Sequence, residues 1–283
     1  MKILMIGNSF SICVLKYMPS VAAELGCDLD LASLYIGGCP LMRHAANIAA
    51  GGYAEHRPYL VTWNYASLTD QSAAPFASLL GGEKGDHGNI PQLLAADKWD
   101  VVTIQQASHE SWKPDTYHPW ADMVISAIRK YAPQAKIVIQ QTWSYCNAEA
   151  RICNQETKGP GTWGIDQLGM YERLTANYSK LAAENGFDII PTGKAVQLYR
   201  ARRPVTEVAE DVVGNFGKDE NGVEYADTIH LNRDGEYLQA CVWTAKLFGA
   251  DVTKLATVPE NLNTPASAVL LRECARDAVA EGL

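Results

Sequence analysis

The sequence predicts an α/β fold in which helices cover both faces of a five-stranded parallel sheet. Three observations lead to this prediction. Short apolar runs alternate with helical patterns along all 283 residues. The first run, residues 3–6, is wholly apolar and stops at Gly7, as expected of a strand buried on both faces. No repeat, linker or low-complexity block divides the chain, so we expect a single domain over residues 1–283.

The predicted strands follow one another along the chain with at least one helical pattern between them. They cover residues 3–6, 28–35, 99–104, 136–140 and 187–190. Aromatic and β-branched residues at 59–65 predict a further strand or hairpin away from the main sheet. Parallel neighbours need helical crossovers, which places helices on both faces of the sheet.

The helical patterns have recognisable starts and ends. They cover about 12–25, 90–96, 120–131, 171–185 and 235–248. Pro19 lies inside the first pattern, which predicts either a kink or a regular helix that begins at this proline. Thr264 and Pro265 form an N-cap pattern, so a last helix, about 264–281, is predicted as a C-terminal extension.

Two segments lack helical or strand periodicity. Residues 143–163 contain a Gly-Pro-Gly sequence and predict a long loop. Residues 207–225 are polar, acidic and glycine-containing, and this polarity makes them a candidate lid.

Composition argues against several classes of protein. The formal net charge of −8 argues against nucleic acid as the main partner, because phosphate binding needs clustered Lys and Arg. No apolar run approaches the roughly 20 residues that span a bilayer. The first residues lack the longer apolar region and cleavage site of a signal peptide, so a cytoplasmic location is expected. The 7 cysteines include no Cys-x-x-Cys pair, which indicates a reducing compartment and no zinc ribbon. The pattern does not predict an oligomeric state.

Four local sequences at strand ends or near the C-terminus carry groups suited to chemistry. They are Gly-Asn-Ser-Phe-Ser at 7–11, Gly-Gly-Cys-Pro-Leu at 37–41, Gln-Gln-Ala-Ser-His at 105–109 and Asp-Thr-Ile-His-Leu-Asn at 227–232. In a doubly wound sheet, ligands bind where the carboxyl ends of the strands meet. The first three sequences are therefore expected along one edge of the sheet.

Ser9 and His230 are the candidate nucleophile and base. Ser9 directly follows the first strand and precedes a helix, so its hydroxyl is expected at the sheet edge, although an N-cap role for Ser9 or Ser11 is the alternative. Asp227 stands three residues before His230 and can hold the tautomer that leaves the other imidazole nitrogen free. Such Asp-x-x-His pairs also cap helices. The combination with Ser9, rather than either motif, favours catalysis.

An acyl transfer also needs donors for the oxyanion. Gly38 has no side chain to block its N–H, which makes it a candidate together with the N–H of Ser9, and a tight turn is the alternative reading. The end of the third strand offers His109, Gln106 and Gln105 as further donors. A satisfied amide in the core is the alternative for the two glutamines.

These blocks together resemble the SGNH (GDSL-like) hydrolase superfamily of esterases and lipases. The sequence at 7–11 is similar to the first block, Gly-Asp-Ser-Leu/Ser, with Asn8 in place of the usual Asp. Gly38 matches the second-block glycine, and 227–230 match the last block, Asp-x-x-His. The third block departs from its usual Gly-x-Asn-Asp, because the gap-free match places His109 where the oxyanion-hole asparagine normally lies.

The resemblance implies a flavodoxin-like three-layer α/β/α fold and a Ser-His-Asp mechanism without metal or organic cofactor. Ser9 would form the acyl-enzyme, and His230 would pass its proton to the leaving alcohol and then activate water. Many members act on acetylated carbohydrates, so a small-molecule or carbohydrate ester is the expected substrate. Five aromatic residues near the third and fourth strands are candidates either to stack on a sugar or to complete the core: Trp112, Tyr117, Trp120, Trp143 and Tyr145.

Three other readings remain. An α/β-hydrolase needs Gly-x-Ser-x-Gly after a middle strand, whereas Ser11 stands at the position of the last glycine. A flavodoxin-like phosphate- or nucleotide-binding protein would use Ser9 and Ser11 but leaves His230 without a role. A hydrolase-shaped protein that lacks activity is the third reading, motivated by Asn8 and His109.

Overall fold

The chain alternates strands and helices around a central sheet. The computed structural model describes residues 1–51, 59–62, 87–152, 161–204 and 211–283. The elements of these ranges are, in chain order, β1 Lys2–Gly7, α1 Ser9–Ile12, α2 Met18–Glu24, β2 Asp30–Tyr35, α3 Leu41–Ala49, β3 Tyr59–Thr62, β4 His87–Gly88, α4 Ile90–Ala96, β5 Val101–Ile104, α5 Ser108–Ser111, α6 Trp120–Tyr131, β6 Lys136–Gln140, α7 Gln167–Asn185, β7 Asp188–Ile190, α8 Thr192–Arg202, β8 Val213–Lys218, β9 Glu224–Leu231, α9 Arg233–Phe248 and α10 Ala268–Glu281.

The central sheet has the strand order β4-β3-β2-β1-β5-β6-β7. The strands β2, β1, β5, β6 and β7 are parallel, which confirms the predicted five-stranded parallel sheet. The chain reverses its winding direction at β1, which pairs with β2 on one side and with β5 on the other. Such a reversal leaves a crevice at the carboxyl ends of these strands.

The segment predicted as a strand away from the main sheet instead extends that sheet. β3 pairs antiparallel with the outer edge of β2, and β4 pairs antiparallel with β3. That prediction was therefore wrong about location, and its residues 63–65 lie outside the described residues. Its composition indicates that this segment can form a strand. It does not indicate which strand the segment pairs with, and in the structure the segment pairs with the hydrogen-bonding groups at the outer edge of β2.

The helices pack in two groups. α3, α4 and α6 pack against one another, whereas α2, α8, α9 and α10 form the second group. The first predicted helix is divided, because α1 and a 3₁₀ turn at Cys13–Lys16 precede α2, which holds Pro19 in its first turn. Proline is tolerated in the first turn because a backbone N–H at this position would have no acceptor within the helix, so its absence removes no helix hydrogen bond. The helices α3 and α8 were not predicted, since residues 41–49 and 192–202 contain few large apolar residues. No helix in the described ranges is long and apolar enough to cross a membrane.

The candidate lid is partly a β-hairpin. Residues 205–210 lie outside the described residues, and from residue 211 the chain enters the antiparallel pair β8 and β9. β9 contains both Asp227 and His230. Asp227 pairs with Asn215 and Leu231 pairs with Val213, so both ends of the Asp-x-x-His segment are tied to β8, and residues 228–230 lie in an irregularity between these pairs. α9 begins at Arg233, two residues after β9 ends.

Candidate active site

The carboxyl edge of the sheet brings the predicted sequences together. β1 lies between β2 and β5 in parallel register, so the residues after these three strands meet at one edge. Ser9 opens α1 directly after β1, Gly38 lies in the turn after β2, and His109 lies in α5 after β5. The hairpin strand β9 reaches the same edge from outside the main sheet, since its His230 contacts Ser9.

A continuous hydrogen-bond chain joins Ser9, His230 and Asp227. The Nε2 atom of His230 lies 2.7 Å from Ser9 Oγ, and its Nδ1 atom lies 2.7 Å from Asp227 Oδ2. A carboxylate at Nδ1 selects the tautomer with its proton on that atom, so Nε2 is left to accept the hydroxyl proton of Ser9. The His230 side chain is 30% exposed, which leaves it accessible to a substrate.

Asp227 is held by the backbone of its own segment. Its Oδ1 atom accepts hydrogen bonds from the N–H groups of Ile229 and His230, both at 3.1 Å. Burial raises the pKa of the Asp227 carboxyl, but these N–H groups and the His230 ring outweigh burial, so the pKa lies below its ordinary value. The carboxylate therefore stays ionised and keeps a fixed orientation toward the imidazole.

Phe10 is held by two buried glutamines that the sequence reading did not single out. Its carbonyl accepts hydrogen bonds from Gln140 Nε2 at 2.8 Å and from Gln239 Nε2 at 2.9 Å. Gln140 ends β6 and Gln239 lies in α9, so these bonds fix α1 to both elements. Because Phe10 follows Ser9, they also fix the backbone of the candidate nucleophile. No local pattern signals these contacts, which join residues far apart in the chain.

The segment after β6 supports the Asp-x-x-His strand. Glu149 accepts a hydrogen bond from the Thr228 hydroxyl, and the Cys146 N–H donates to the Thr228 carbonyl at 3.2 Å. Arg151 donates to Glu149 at 2.6 Å and, despite opposing burial, is the main reason that the pKa of this carboxyl falls to about 2. Residues of the predicted loop therefore hold both the side chain and the backbone of Thr228, which follows Asp227.

The turn after β2 places a backbone N–H at the same edge. The N–H of Cys39 donates to the Ile36 carbonyl at 3.2 Å and closes a four-residue turn. Gly38 has a φ of +63° in this turn, a conformation that side chains disfavour. Within the described part of the chain, neither the Gly38 N–H nor the Ser9 N–H has a hydrogen-bond acceptor. Both predicted backbone donors therefore lack an acceptor among the described residues.

The three candidate donors after β5 have different environments. Gln106 is fully buried, and its amide oxygen accepts from the N–H groups of Leu41 and Ala107 while its Nε2 donates to the Thr116 carbonyl at 2.8 Å. Its amide is therefore occupied in packing the turn. Gln105 Nε2 donates to Asn8 Oδ1 at 2.7 Å. The His109 side chain is 41% exposed, and burial of the remainder lowers the pKa of its imidazole, which favours the neutral form.

A pocket of about 390 Å³ opens beside these segments. Its walls come from the segments that follow β2 and β5, and its lining consists of Pro40, Met42, Gln106, His109, Glu110, Asp115, Thr116 and Trp120. The volume is near the lower end of the range of small-molecule sites. The mixture of one aromatic ring, one thioether and several polar groups suits a small, partly polar ligand.

The aromatic residues proposed to stack on a sugar are mostly buried. Trp143, Tyr145 and Tyr117 are exposed by 0%, 1% and 3%, respectively, so their stacking role is wrong and their alternative role in the core is correct. Their rings are large enough that folding covers them even where the backbone is irregular. Trp112 is partly buried against the core, and Trp120 is the member of this group that lines the pocket.

A family model described as "Domain of unknown function (DUF4886)" matches residues 62–278. The chain belongs to this family. The matched part of this DUF4886 protein includes Asp227 and His230 but begins after Ser9 and Gly38. No curated protein matches the chain significantly.

Three solved structures are similar to this chain, and one of them is a member of the same family. A DUF4886 family protein from Bacteroides uniformis is 25% identical with a TM-score of 0.75, and the match covers 99% of this chain and 95% of that one. A proposed SGNH hydrolase from Slackia heliotrinireducens is 23% identical, with coverage of 86% and 96% and a TM-score of 0.49. A proposed GDSL-like lipase from Parabacteroides merdae is 13% identical, with coverage of 86% and 93% and a TM-score of 0.47. TM-scores below 0.5 are too low to transfer a fold or a function from the last two proteins.

Proposed function

We propose that this DUF4886 protein is a serine ester hydrolase. One observation carries the proposal: the hydrogen-bond chain from Ser9 Oγ through His230 to Asp227, with 2.7 Å at each of its two steps. This is the arrangement by which a weak hydroxyl nucleophile is activated. The sequence resemblance to SGNH hydrolases independently points to the same three residues.

In this proposal the reaction has two halves. Ser9 Oγ attacks the ester carbonyl while His230 Nε2 takes the hydroxyl proton, and Asp227 stabilises the imidazolium that forms. His230 then gives this proton to the leaving alcohol, which breaks the ester bond and leaves an acyl group on Ser9. In the second half, His230 takes a proton from water, hydroxide attacks the acyl group, and the carboxylic acid is released as Ser9 regains its proton.

The oxyanion of each tetrahedral intermediate needs donors. The free N–H groups of Ser9 and Gly38 supply two of them in this proposal. His109 is the preferred third donor, because its largely neutral ring borders the pocket whereas the amide of Gln106 is already occupied. The lining of the pocket of about 390 Å³ does not include Ser9 or His230, so in this proposal the pocket holds a part of a small ester away from the reacting carbonyl, and Trp120 offers a ring to an acylated sugar.

A fluorophosphonate probe tests the proposal directly, since it labels only an activated serine. The wild-type protein should be labelled, and mass mapping should place the label on Ser9 rather than on Ser11. Turnover of p-nitrophenyl acetate should disappear in Ser9→Ala and persist in the control Ser20→Ala, because Ser20 lies on α2 and its hydroxyl donates to the carbonyl of Tyr17. Retained turnover in Ser9→Ala, or an unlabelled wild type, would refute the assignment and favour the inactive or ligand-binding readings.

A further inference from the structure

Asn8, the residue before Ser9, connects the three segments that form the candidate site. It is 1% exposed and lies at the N-cap of α1. Its Oδ1 atom accepts from the Phe10 N–H at 3.0 Å and from Gln105 Nε2 at 2.7 Å, and its Nδ2 atom donates to the Cys39 carbonyl at 3.1 Å. One side chain thus joins the residues that follow β1, β2 and β5.

The hydrogen bonds determine which end of the amide faces which partner. A backbone N–H can only donate, so the atom of Asn8 that faces Phe10 must be the amide oxygen. The atom that faces the Cys39 carbonyl must then be the nitrogen, because a carbonyl can only accept. None of the three groups in contact with Asn8 carries a charge. The position therefore needs a side chain that both accepts and donates without being ionised.

Cys39 transmits this contact to the turn that contains Gly38. The Cys39 N–H donates to the Ile36 carbonyl, and the Cys39 carbonyl accepts a hydrogen bond from Asn8 Nδ2, so both backbone groups of Cys39 are held. Gly38 directly precedes Cys39, and Ser9 directly follows Asn8. The side chain of Asn8 therefore links the two free N–H groups of the candidate oxyanion hole through a short and buried path.

We propose that Asn8 is a positioning residue that sets the separation of the Ser9 and Gly38 N–H groups, and that its role requires the amide nitrogen. This inference rests on the proposed function. It also departs from the resemblance, in which an aspartate normally occupies this position. An ionised aspartate here would point an oxygen without a proton at the Cys39 carbonyl, and the turn would move away from Ser9.

Asn8→Asp and Asn8→Ala test this role against a matched control. At about pH 8 both variants should lose about 10-fold or more in kcat with little change in KM, because the oxyanion contact forms mainly in the transition state. At lower pH the aspartic acid becomes neutral and can donate to Cys39, so the activity of Asn8→Asp relative to wild type should rise. The Asn8→Ala ratio should stay constant. Asn185→Asp should behave as wild type, although its Nδ2 also donates to a carbonyl, that of Leu181 at 3.0 Å.

The failure of this inference differs from the failure of the proposed function. If wild type is labelled at Ser9 and Asn8→Asp matches its activity at pH 8, or the activity ratio does not change with pH, the positioning role is refuted while the hydrolase remains. If wild type has no esterase activity, urea unfolding gives the readout. The stability deficit of Asn8→Asp should then widen as the pH rises, because the neutral acid is the form that fits the buried site. A deficit that does not depend on pH would overturn the inferred contact.

Discussion

Trp143 lies flat against Phe10, with ring centroids 4.1 Å apart and planes inclined by 14°. Phe10 follows Ser9 in the chain, and its ring centroid lies 5.4 Å from that of His230. The indole N–H of Trp143 donates to the Ile229 carbonyl at 2.9 Å, directly before His230. A single buried indole therefore contacts the neighbours of both the candidate nucleophile and the candidate base.

Trp143→Phe should separate the stacking role of this ring from its hydrogen bond. Phenylalanine retains an aromatic face against Phe10 but leaves the Ile229 carbonyl without its donor, which costs about 1–3 kcal/mol of unfolding free energy. The kcat should fall because His230 is less well held. Trp99→Phe is the control, since its indole also donates to a backbone carbonyl, that of Leu93 at 2.8 Å. Urea unfolding and esterase assays should show destabilisation in both variants and loss of kcat in Trp143→Phe alone.

Asp227→Asn should reduce kcat by on the order of 10³–10⁴-fold while the protein stays folded. The asparagine oxygen can still accept from the Ile229 N–H, but its NH₂ group then faces His230 Nδ1 and stabilises the wrong tautomer. Asp219→Asn is a control in the same hairpin, because Asp219 Oδ1 also accepts from backbone N–H groups, those of Asn221 and Val223. Equal kcat values for the Asp227→Asn variant and wild type would contradict the proposed mechanism.

Gly7→Ala should destabilise the protein through a single neighbour. A Cβ atom at Gly7 would lie 2.4 Å from Ser11 Oγ and 3.0 Å from Ser11 Cβ. Overpacking of this kind costs about 1–3 kcal/mol. In a double-mutant cycle, Ser11→Gly should recover much of the loss, which appears as a favourable coupling energy. Additive unfolding free energies would mean that the strain lies elsewhere.

His118 should make stability depend on pH. Its Nδ1 lies 2.8 Å from Asp122 and its Nε2 lies 2.9 Å from Glu184. The hydrogen bond with Asp122 is the main reason that the pKa of His118 is raised, with burial opposing it and Glu184 adding to it. A raised pKa means that the charged form stabilises the fold, so this stability is complete below the unfolded value of about 6.5 and is lost as the pH rises through the folded value.

His118→Gln should therefore be less stable than wild type at low pH, and the difference should shrink toward about pH 9. Thermal or urea unfolding across this range measures the difference. Asp122→Asn should weaken the same pH dependence by removing the main partner. A stability difference that is the same at every pH would show that the charge of His118 does not contribute.

Much of the fold was predictable because its signals are local. Short apolar runs identify β1, β2, β5, β6 and β7, and glycines mark the ends of β1 and β2. The parallel arrangement then predicted that Ser9 and Gly38 meet at one edge, because parallel strands end on the same side. The Asp227–His230 spacing is also local, and it predicted that these two side chains contact each other.

Only the tertiary structure decided how these groups are supported and which donors are free. The sequence does not distinguish Gln106 from His109 as a hydrogen-bond donor. In the folded protein the amide of Gln106 is hydrogen-bonded to neighbouring residues, whereas the ring of His109 lines a pocket. The contacts of Trp143 with Phe10 and Ile229 depend on segments that are distant along the chain and have no shared periodicity. A sequence determines which hydrogen-bonding groups exist and how each local segment folds. Only the packing of distant segments determines which of those groups still lack a hydrogen-bond partner. A candidate site depends on these groups, because they are the ones that can bind a ligand.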